Sequence, residues 1–367
     1  MRLIVTILIL LNLMDPLMAK SVTVDANATR ETKALYANLK KMASKGVMFG
    51  HQDDAVYGHT WKYDAGASDV KSVAGDYPAV FGWELGNLEL GRVSSLDSVY
   101  FDSVRVRIKE VYKRGGINTI SWHVNNPLGG NAWRCNTTEA VKSVLPGGTK
   151  QALFRQWLDR LATFLGSLKD DTGRAIPILF RPFHEHTGDW FWWGAKQCTP
   201  QEYVALWKYT VNYLIQTKKL HQLLFIYSPA SSPDAASYFE RYPGDDMVDI
   251  LGIDIYQYGG EQASNRFVAE VQNALKYMTQ AAKAKDKVAV LSETGIESLP
   301  IKNWWTEVIY KAVSESDIAY FLVWRNAPDK PGHFYAPYPG QLSADDFIRF
   351  KAMKDVYFES QLPLMYK

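Results

Sequence analysis

Residues 176–194 read IPILFRPFHEHTGDWFWWG. The run opens apolar, breaks into Arg181, Pro182, His184, Glu185 and His186, and ends in Trp190, Phe191, Trp192 and Trp193. A short apolar run closed by turn-forming residues reads as a buried strand, so groups that carry charge and protons arrive at its C-terminal end. The rings that follow offer flat apolar faces with polar edges, a surface on which a pyranose can stack. This combination suits cleavage of a glycosidic bond, with Glu185 protonating the leaving oxygen.

Hydrolysis with retention needs a second carboxyl group about 5–5.5 Å from the first, one acting as nucleophile and the other as acid and then base. Glu293, in VAVLSETG, is the expected partner; Asp254, in GIDIY, and Glu84 compete for the role. The two glutamates need different protonation states. Burial and a neighbouring negative charge keep Glu185 protonated, whereas hydrogen bonds from Tyr256 or a cation such as Arg325 keep Glu293 ionised. His184 and His123 would orient these groups or hold the sugar. Two other readings fit the same residues. His184 and His186, two apart on a strand end, point to similar sides and with His123 or Asp254 would make a metal hydrolase, although the zinc-protease spacing H-E-x-x-H is not met. A non-catalytic carbohydrate-binding protein would keep the rings without facing glutamates. Two-carboxylate hydrolysis requires no cofactor and no metal, and the aromatic wall favours a sugar over a peptide or a phosphate.

Brief apolar runs with polar ends recur at 47–54, 79–85, 117–123, 176–183, 223–228, 248–256, 288–293 and 318–324, separated by helical patterns at 30–45, 96–114, 150–169, 200–217, 266–284 and 304–314. Strand–helix alternation implies a parallel sheet. Eight such units predict an α/β fold of the (β/α)8 TIM-barrel type, one domain over 20–367 with elaborated βα loops. A doubly wound open sheet would want an early Gly-rich phosphate turn, which is missing. In a barrel the site forms where the C-terminal strand ends converge. That rule collects His51, Gln52, Trp83, Glu84, Trp122, His123, His184, Glu185, Ser228, Asp254, Tyr256, Glu293, Trp324 and Arg325, and puts Glu185 and Glu293, on the fourth and seventh strands, across the mouth from each other.

A net charge of +2, without a dense Lys/Arg run, argues against nucleic acid or anionic membrane as partner. The 12 Trp and 21 Tyr exceed what packing alone suggests, and several Trp stand beside Gly, His or Asp near strand ends. Residues 1–19, MRLIVTILILLNLMDPLMA, have the form of a secretory leader cleaved after Ala19. Its apolar run is shorter than the ~20 residues of a spanning helix, and no Cys follows for lipid attachment. The expectation is an exported monomer, periplasmic or secreted, without a membrane anchor. Cys135 and Cys198 both fall in loops beyond strands, and an oxidising compartment makes them a candidate disulfide.

RPFHEHTGDWFWWG (181–194), with MFGHQDD (48–54), SWHVNNPLGG (121–130), GIDIY (252–256), LSETG (291–295) and VWRN (323–326), resembles the family 26 glycoside hydrolases, chiefly β-mannanases. The likeness runs along nearly the whole chain in the same order. It implies a retaining endo-β-1,4-mannanase acting on β-mannan or manno-oligosaccharides, with Glu185 as acid/base and Glu293 as nucleophile. It further implies that His184 precedes the acid/base where many relatives in the clan have Asn. His123 would contact sugar, and Trp190 would form a platform near the cleavage point. Asp254 and Tyr256 would flank the nucleophile, with Tyr256 hydrogen-bonded to it; Trp324 and Arg325 would lie on the far side of the glycone subsites with His333 nearby. The loop NAWRCNTTEA (131–140) departs from relatives by carrying Arg134 and Cys135 in place of a more acidic stretch, which bears on loop shape and subsite number. Release of mannobiose from chain ends, or action on mixed-linkage glucan or β-1,3-xylan, are the alternatives that the resemblance leaves open.

Overall fold

The computed structural model describes residues 23–367; the leader expected at 1–19 lies outside the described residues. Eight parallel strands close on themselves: β1 (Val47–Gln52), β2 (Val80–Glu84), β3 (Ile117–Trp122), β4 (Ile178–Pro182), β5 (Leu223–Tyr227), β6 (Ile250–Tyr256), β7 (Val288–Gly295) and β8 (Tyr320–Val323). Each pairs with the next, and β1 pairs with both β8 and β2, which closes the barrel. All eight lie within two residues of the expected runs. A two-residue strand, β9 (Val356–Tyr357), which the sequence reading did not anticipate, adds to the start of β1.

Successive side chains of a strand point to opposite faces, and here the two faces carry different residues. Met48, Val80, Leu179, Leu224, Ile250, Val290 and Leu322 pack together inside the barrel. Their neighbours Phe49, Phe81, Phe180, Phe225, Leu251, Leu291 and Phe321 pack outward in the larger core. The inner cluster also takes Leu35, Tyr36, Leu39 and Met42 from α1 (Arg30–Ala43), so that helix covers the N-terminal mouth.

Around the barrel lie α2 (Asp69–Ala74), α3 (Phe101–Arg114), α4 (Ala140–Val144), α5 (Gln151–Gly166), α6 (Pro200–Asn212), α7 (Ala235–Phe239), α8 (Ser264–Ala284), α9 (Tyr310–Val313) and α10 (Ala344–Lys351). A capping box starts α6: Thr199 accepts from the Glu202 N–H, and the Glu202 carboxylate accepts from the Thr199 N–H. Two expectations are corrected at helix ends. The pattern at 96–114 becomes helical only at Phe101, because Ser94 and Tyr100 bridge across a turn in which Ser98 is left-handed (φ 59°). That turn delivers Asp97 to Arg325, at 2.9 Å. The pattern at 304–314 winds first as a wider π turn over Trp305–Ile309.

Candidate active site

Following each inward-facing series to its C-terminal end builds the site. On β6 it runs Ile250, Gly252, Asp254, Tyr256; on β5, Leu224, Ile226, Ser228; on β4, Leu179, Arg181. Gly252 has no substitute: a Cβ there would sit 2.6 Å from Ser292 Oγ and 2.9 Å from Ile226. On β7 the alternation would turn Glu293 outward. A register shift against β6 prevents this, since Ile253 pairs with Leu291 but Asp254 pairs with Glu293. A bulge of this kind re-aims a side chain, and both Ser292 and Glu293 serve the interior. The fourth strand uses a different device. Phe183 and Glu185 are left-handed (φ 48° and 52°), a conformation that costs non-glycine residues on the order of 1–3 kcal/mol and persists only where surroundings enforce it.

Carboxylate oxygens of Glu185, Asp254 and Glu293 lie within 4.8 Å of one another. Glu293 is buried, and Glu185 is partly exposed beside it. Tyr256 OH donates to Glu293 Oε2 at 2.8 Å. Arg181 donates to Glu293 Oε1 and, at 2.7 Å, to Asp254 Oδ2. Asp254 Oδ1 in turn accepts from Ser228 at 2.8 Å and Ser292 at 2.7 Å. The cation beside Glu293 is therefore Arg181. The alternative expected from the sequence, Arg325, is committed to Asp97 and, at 3.3 Å, to Tyr57 OH. Burial, and then the negative charge of Glu293, push the Glu185 carboxyl up to about 7. The Trp190 Nε1–H, 2.7 Å from Glu185 Oε2, pulls the other way.

Glu84 is engaged by the third strand and the residue that follows it. It accepts from the His123 backbone N–H at 2.9 Å and from Ser121 at 2.7 Å, and pairs with His123 Nδ1 at 2.7 Å. Burial alone would raise the Glu84 carboxyl and lower the His123 imidazole; their mutual attraction outweighs burial and reverses both shifts. His123 Nε2 stands 3.0 Å from His184 Nε2. Burial, then Arg181, hold His184 well below the ordinary imidazole range.

His186 corrects the metal reading. The left-handed turn at Glu185 swings it away from His184 into the core, where its ring lies 4.3 Å from that of Tyr203 and 4.7 Å from that of Tyr227. His184 and His186 thus do not share a side, as they would on a regular strand end.

The profile of glycosyl hydrolase family 26 matches residues 24–323. The chain belongs to this family. It is 32% identical over 354 residues to a mannan endo-1,4-beta-mannosidase of Bifidobacterium adolescentis, an alignment that covers 90% of this chain and 34% of that one. It therefore spans about a third of the length of that relative. Among solved structures, a family 26 beta-mannanase of Bacteroides ovatus is 44% identical with a TM-score of 0.90, covering 92% of this chain and 98% of that one. A modular endo-beta-1,4-mannanase of Cellulomonas fimi is 32% identical with a TM-score of 0.85, covering 94% and 79%.

In this family 26 chain the exposed rings at the mouth are Trp190, Trp133 and Tyr258. Trp133 stacks on His123, with ring centroids 5.2 Å apart and planes at 18°, and Trp324 stands edge-on to the same imidazole at 6.2 Å. Trp133 and Tyr258 were missed from the sequence because both sit in loops without a strand to mark them. Trp192 and Trp193 are not wall residues: both are buried, donating to the carbonyls of Val124 (2.9 Å) and His184 (2.8 Å). His51, Trp83 and Trp122 lie on the outward strand face or beneath it. His51 pairs with Asp54 at 2.8 Å, Trp83 donates to Asn118 at 2.8 Å, and Trp122 donates to Glu89 at 3.1 Å. Gln52 is buried beneath the mouth. His333 stands at the rim, paired with Glu297 at 2.7 Å and edge-on to Tyr335, whose ring faces Tyr256 at 5.8 Å. The expected disulfide is absent. Cys135 and Cys198 are both free, and Cys198 is buried with its thiol against the Trp193 carbonyl (3.4 Å) and Arg241 (3.4 Å).

Proposed function

We propose that this chain is an endo-acting β-1,4-mannanase that hydrolyses mannan, glucomannan or galactomannan with retention of configuration. The observation that carries the mechanism is the close approach of Glu185 and Glu293, within 4.8 Å, with opposite electrostatic surroundings. An inverting pair stands about 6.5–9.5 Å apart to admit water between them, so this separation belongs to the retaining class.

In the first step a Glu293 carboxylate oxygen attacks the anomeric carbon while Glu185 gives its proton to the departing glycosidic oxygen. This leaves a glycosyl ester on Glu293 and a free sugar hydroxyl. In the second step Glu185, now a carboxylate, takes a proton from water, whose oxygen attacks the same carbon and frees Glu293. Arg181 and Tyr256 hold the Glu293 carboxylate in place, and Asp254 fixes Arg181. His123, His184, Trp190, Trp324, Arg325 and His333 are assigned to the sugar, with Trp133 and Tyr258 as further platforms. The relatives named above as mannanases support the substrate class. The leader-like residues 1–19 support export to the periplasm or the medium; among the described residues no helix is long and apolar enough to cross a membrane.

The test is a time course of products from glucomannan, galactomannan, mannohexaose and lichenan, with Glu185→Ala and Glu293→Ala alongside. Mixed manno-oligosaccharides, lost with Glu293→Ala, are expected. Mannobiose alone from the first minutes would overturn the endo mode, and activity confined to lichenan would overturn the mannan assignment. Undiminished activity in both variants would remove the catalytic assignment.

A further inference from the structure

We propose that Tyr203, on α6, is a positioning residue for the proton donor, acting with Trp193 by holding the carbonyls of the left-handed turn that presents Glu185. This rests on the assignment of Glu185 as acid/base made above.

Three consecutive carbonyls at the end of β4 each accept from a different donor. Tyr203 OH donates to Phe183 O at 3.0 Å, Trp193 Nε1 to His184 O at 2.8 Å, and the Gly188 N–H to Glu185 O at 2.9 Å. From the other side the Glu185 N–H donates to Ser228 O at 2.7 Å. Two left-handed non-glycine residues in three are unfavourable unless over-determined, and two of these restraints come from side chains on other elements. Tyr203 and Trp193 are both fully buried and face no substrate. Tyr203 is itself fixed: its ring packs on His186 at 4.3 Å and on Trp207 at 6.3 Å, and the capping box of α6 ends one residue before it. The hydroxyl therefore acts on the turn from a rigid base. If it is removed, the ring stays packed, but the Phe183 carbonyl loses its donor and the turn can relax toward the right-handed region. Glu185 would then leave its alignment with the scissile oxygen.

A misplaced acid has a signature that a merely destabilised fold lacks. It slows the departure of a poor leaving group and spares a good one that needs no proton. Tyr203→Phe is therefore compared with wild type on mannohexaose and on 2,4-dinitrophenyl β-mannobioside, with thermal unfolding as a check on folding. We expect kcat/KM on mannohexaose to fall by about tenfold, a part of the roughly 10²–10⁴-fold that general acid catalysis supplies as a whole, and kcat/KM on the aryl glycoside to change by less than about twofold. Trp193→Phe, which removes the second donor, is expected to show the same selectivity and serves as the readout if Tyr203→Phe does not fold. An equal loss on both substrates, or no loss on mannohexaose, would overturn the proposal. Glu185→Ala in the same assay separates the two assignments. If it too loses both activities, the acid role falls; if it spares the aryl glycoside while the Tyr203 and Trp193 variants do not discriminate, only the positioning role falls.

Discussion

Arg181 donates to the carboxylate of Glu293, so the strand that leads to Glu185 also carries the counter-ion of Glu293. Strands four and seven are thereby tied across the barrel by an ion pair within the carboxylate cluster. The guanidinium serves Asp254 as well, a two-sided role that suits its planar fork and not the single ammonium of lysine. Arg181→Lys should keep the charge but lose one of the two partners, lowering kcat on mannan by about 10²-fold, the usual cost of a roughly 1 Å misplacement. Arg181→Met should strand two buried carboxylates and destabilise the fold by about 3–5 kcal/mol. Steady-state kinetics and urea unfolding check the two outcomes. Unchanged kcat in the Lys variant would mean that a single charge suffices.

Raising the Glu185 carboxyl to about 7 has two consequences. In the proposed role of general acid it must carry its proton, so kcat/KM should decline as pH rises through about 7, and Glu185→Gln should lose activity on mannan. For stability the sign is fixed by the direction of the shift. The folded-state value lies above the ordinary 4.5, so the folded protein binds this proton more tightly than the unfolded chain. The contribution is complete below pH 4.5 and is lost as pH rises through about 7. Glu185→Gln should therefore unfold at a higher temperature than wild type at pH 8 but not at pH 4.5, as calorimetry at the two pH values would show.

Trp133 stands 45% exposed with its inner face on His123. An exposed indole supported in this way has the geometry that suits stacking of a sugar ring. Trp133→Ala should raise KM for mannohexaose by about tenfold, the equivalent of one lost aromatic contact of about 1.4 kcal/mol, with kcat held within about twofold. A fall in kcat at constant KM would instead tie Trp133 to the alignment of His123.

Both thiols are free, so reductant should not shift the melting temperature. Thiol titration of the denatured, unreduced protein should find two reactive groups. Cys198→Ser is expected to destabilise, because the hydroxyl would replace a buried thiol packed beside Arg241. Cys135→Ser should be neutral. A single mixed reading near zero thiols would show that the two cysteines pair after all.

The chain by itself determined the architecture and most of the carboxylates gathered at the barrel mouth. Apolar runs of strand length recurring eight times, with helices between, leave a closed parallel barrel as their simplest burial. The rule that function gathers at C-terminal strand ends then collected Glu185, Glu293, Asp254, Tyr256 and His123, along with His51, Trp83 and Trp122, which face away from the mouth. Strand periodicity is local, and so it was legible. What tertiary structure decided was direction. The bulge at Ser292 turns Glu293 inward, and the left-handed residues Phe183 and Glu185 send His184 toward His123 but His186 into the core. Neither feature leaves a mark in the periodicity, because each is enforced by partners far away in the chain. The same holds for Arg181 displacing Arg325 as the cation of Glu293, for Asp97 delivered by a turn where helix was expected, and for Trp133 and Tyr258 as mouth residues. Pairing between distant side chains depends on which strand faces which across the barrel, and only the closed structure sets that.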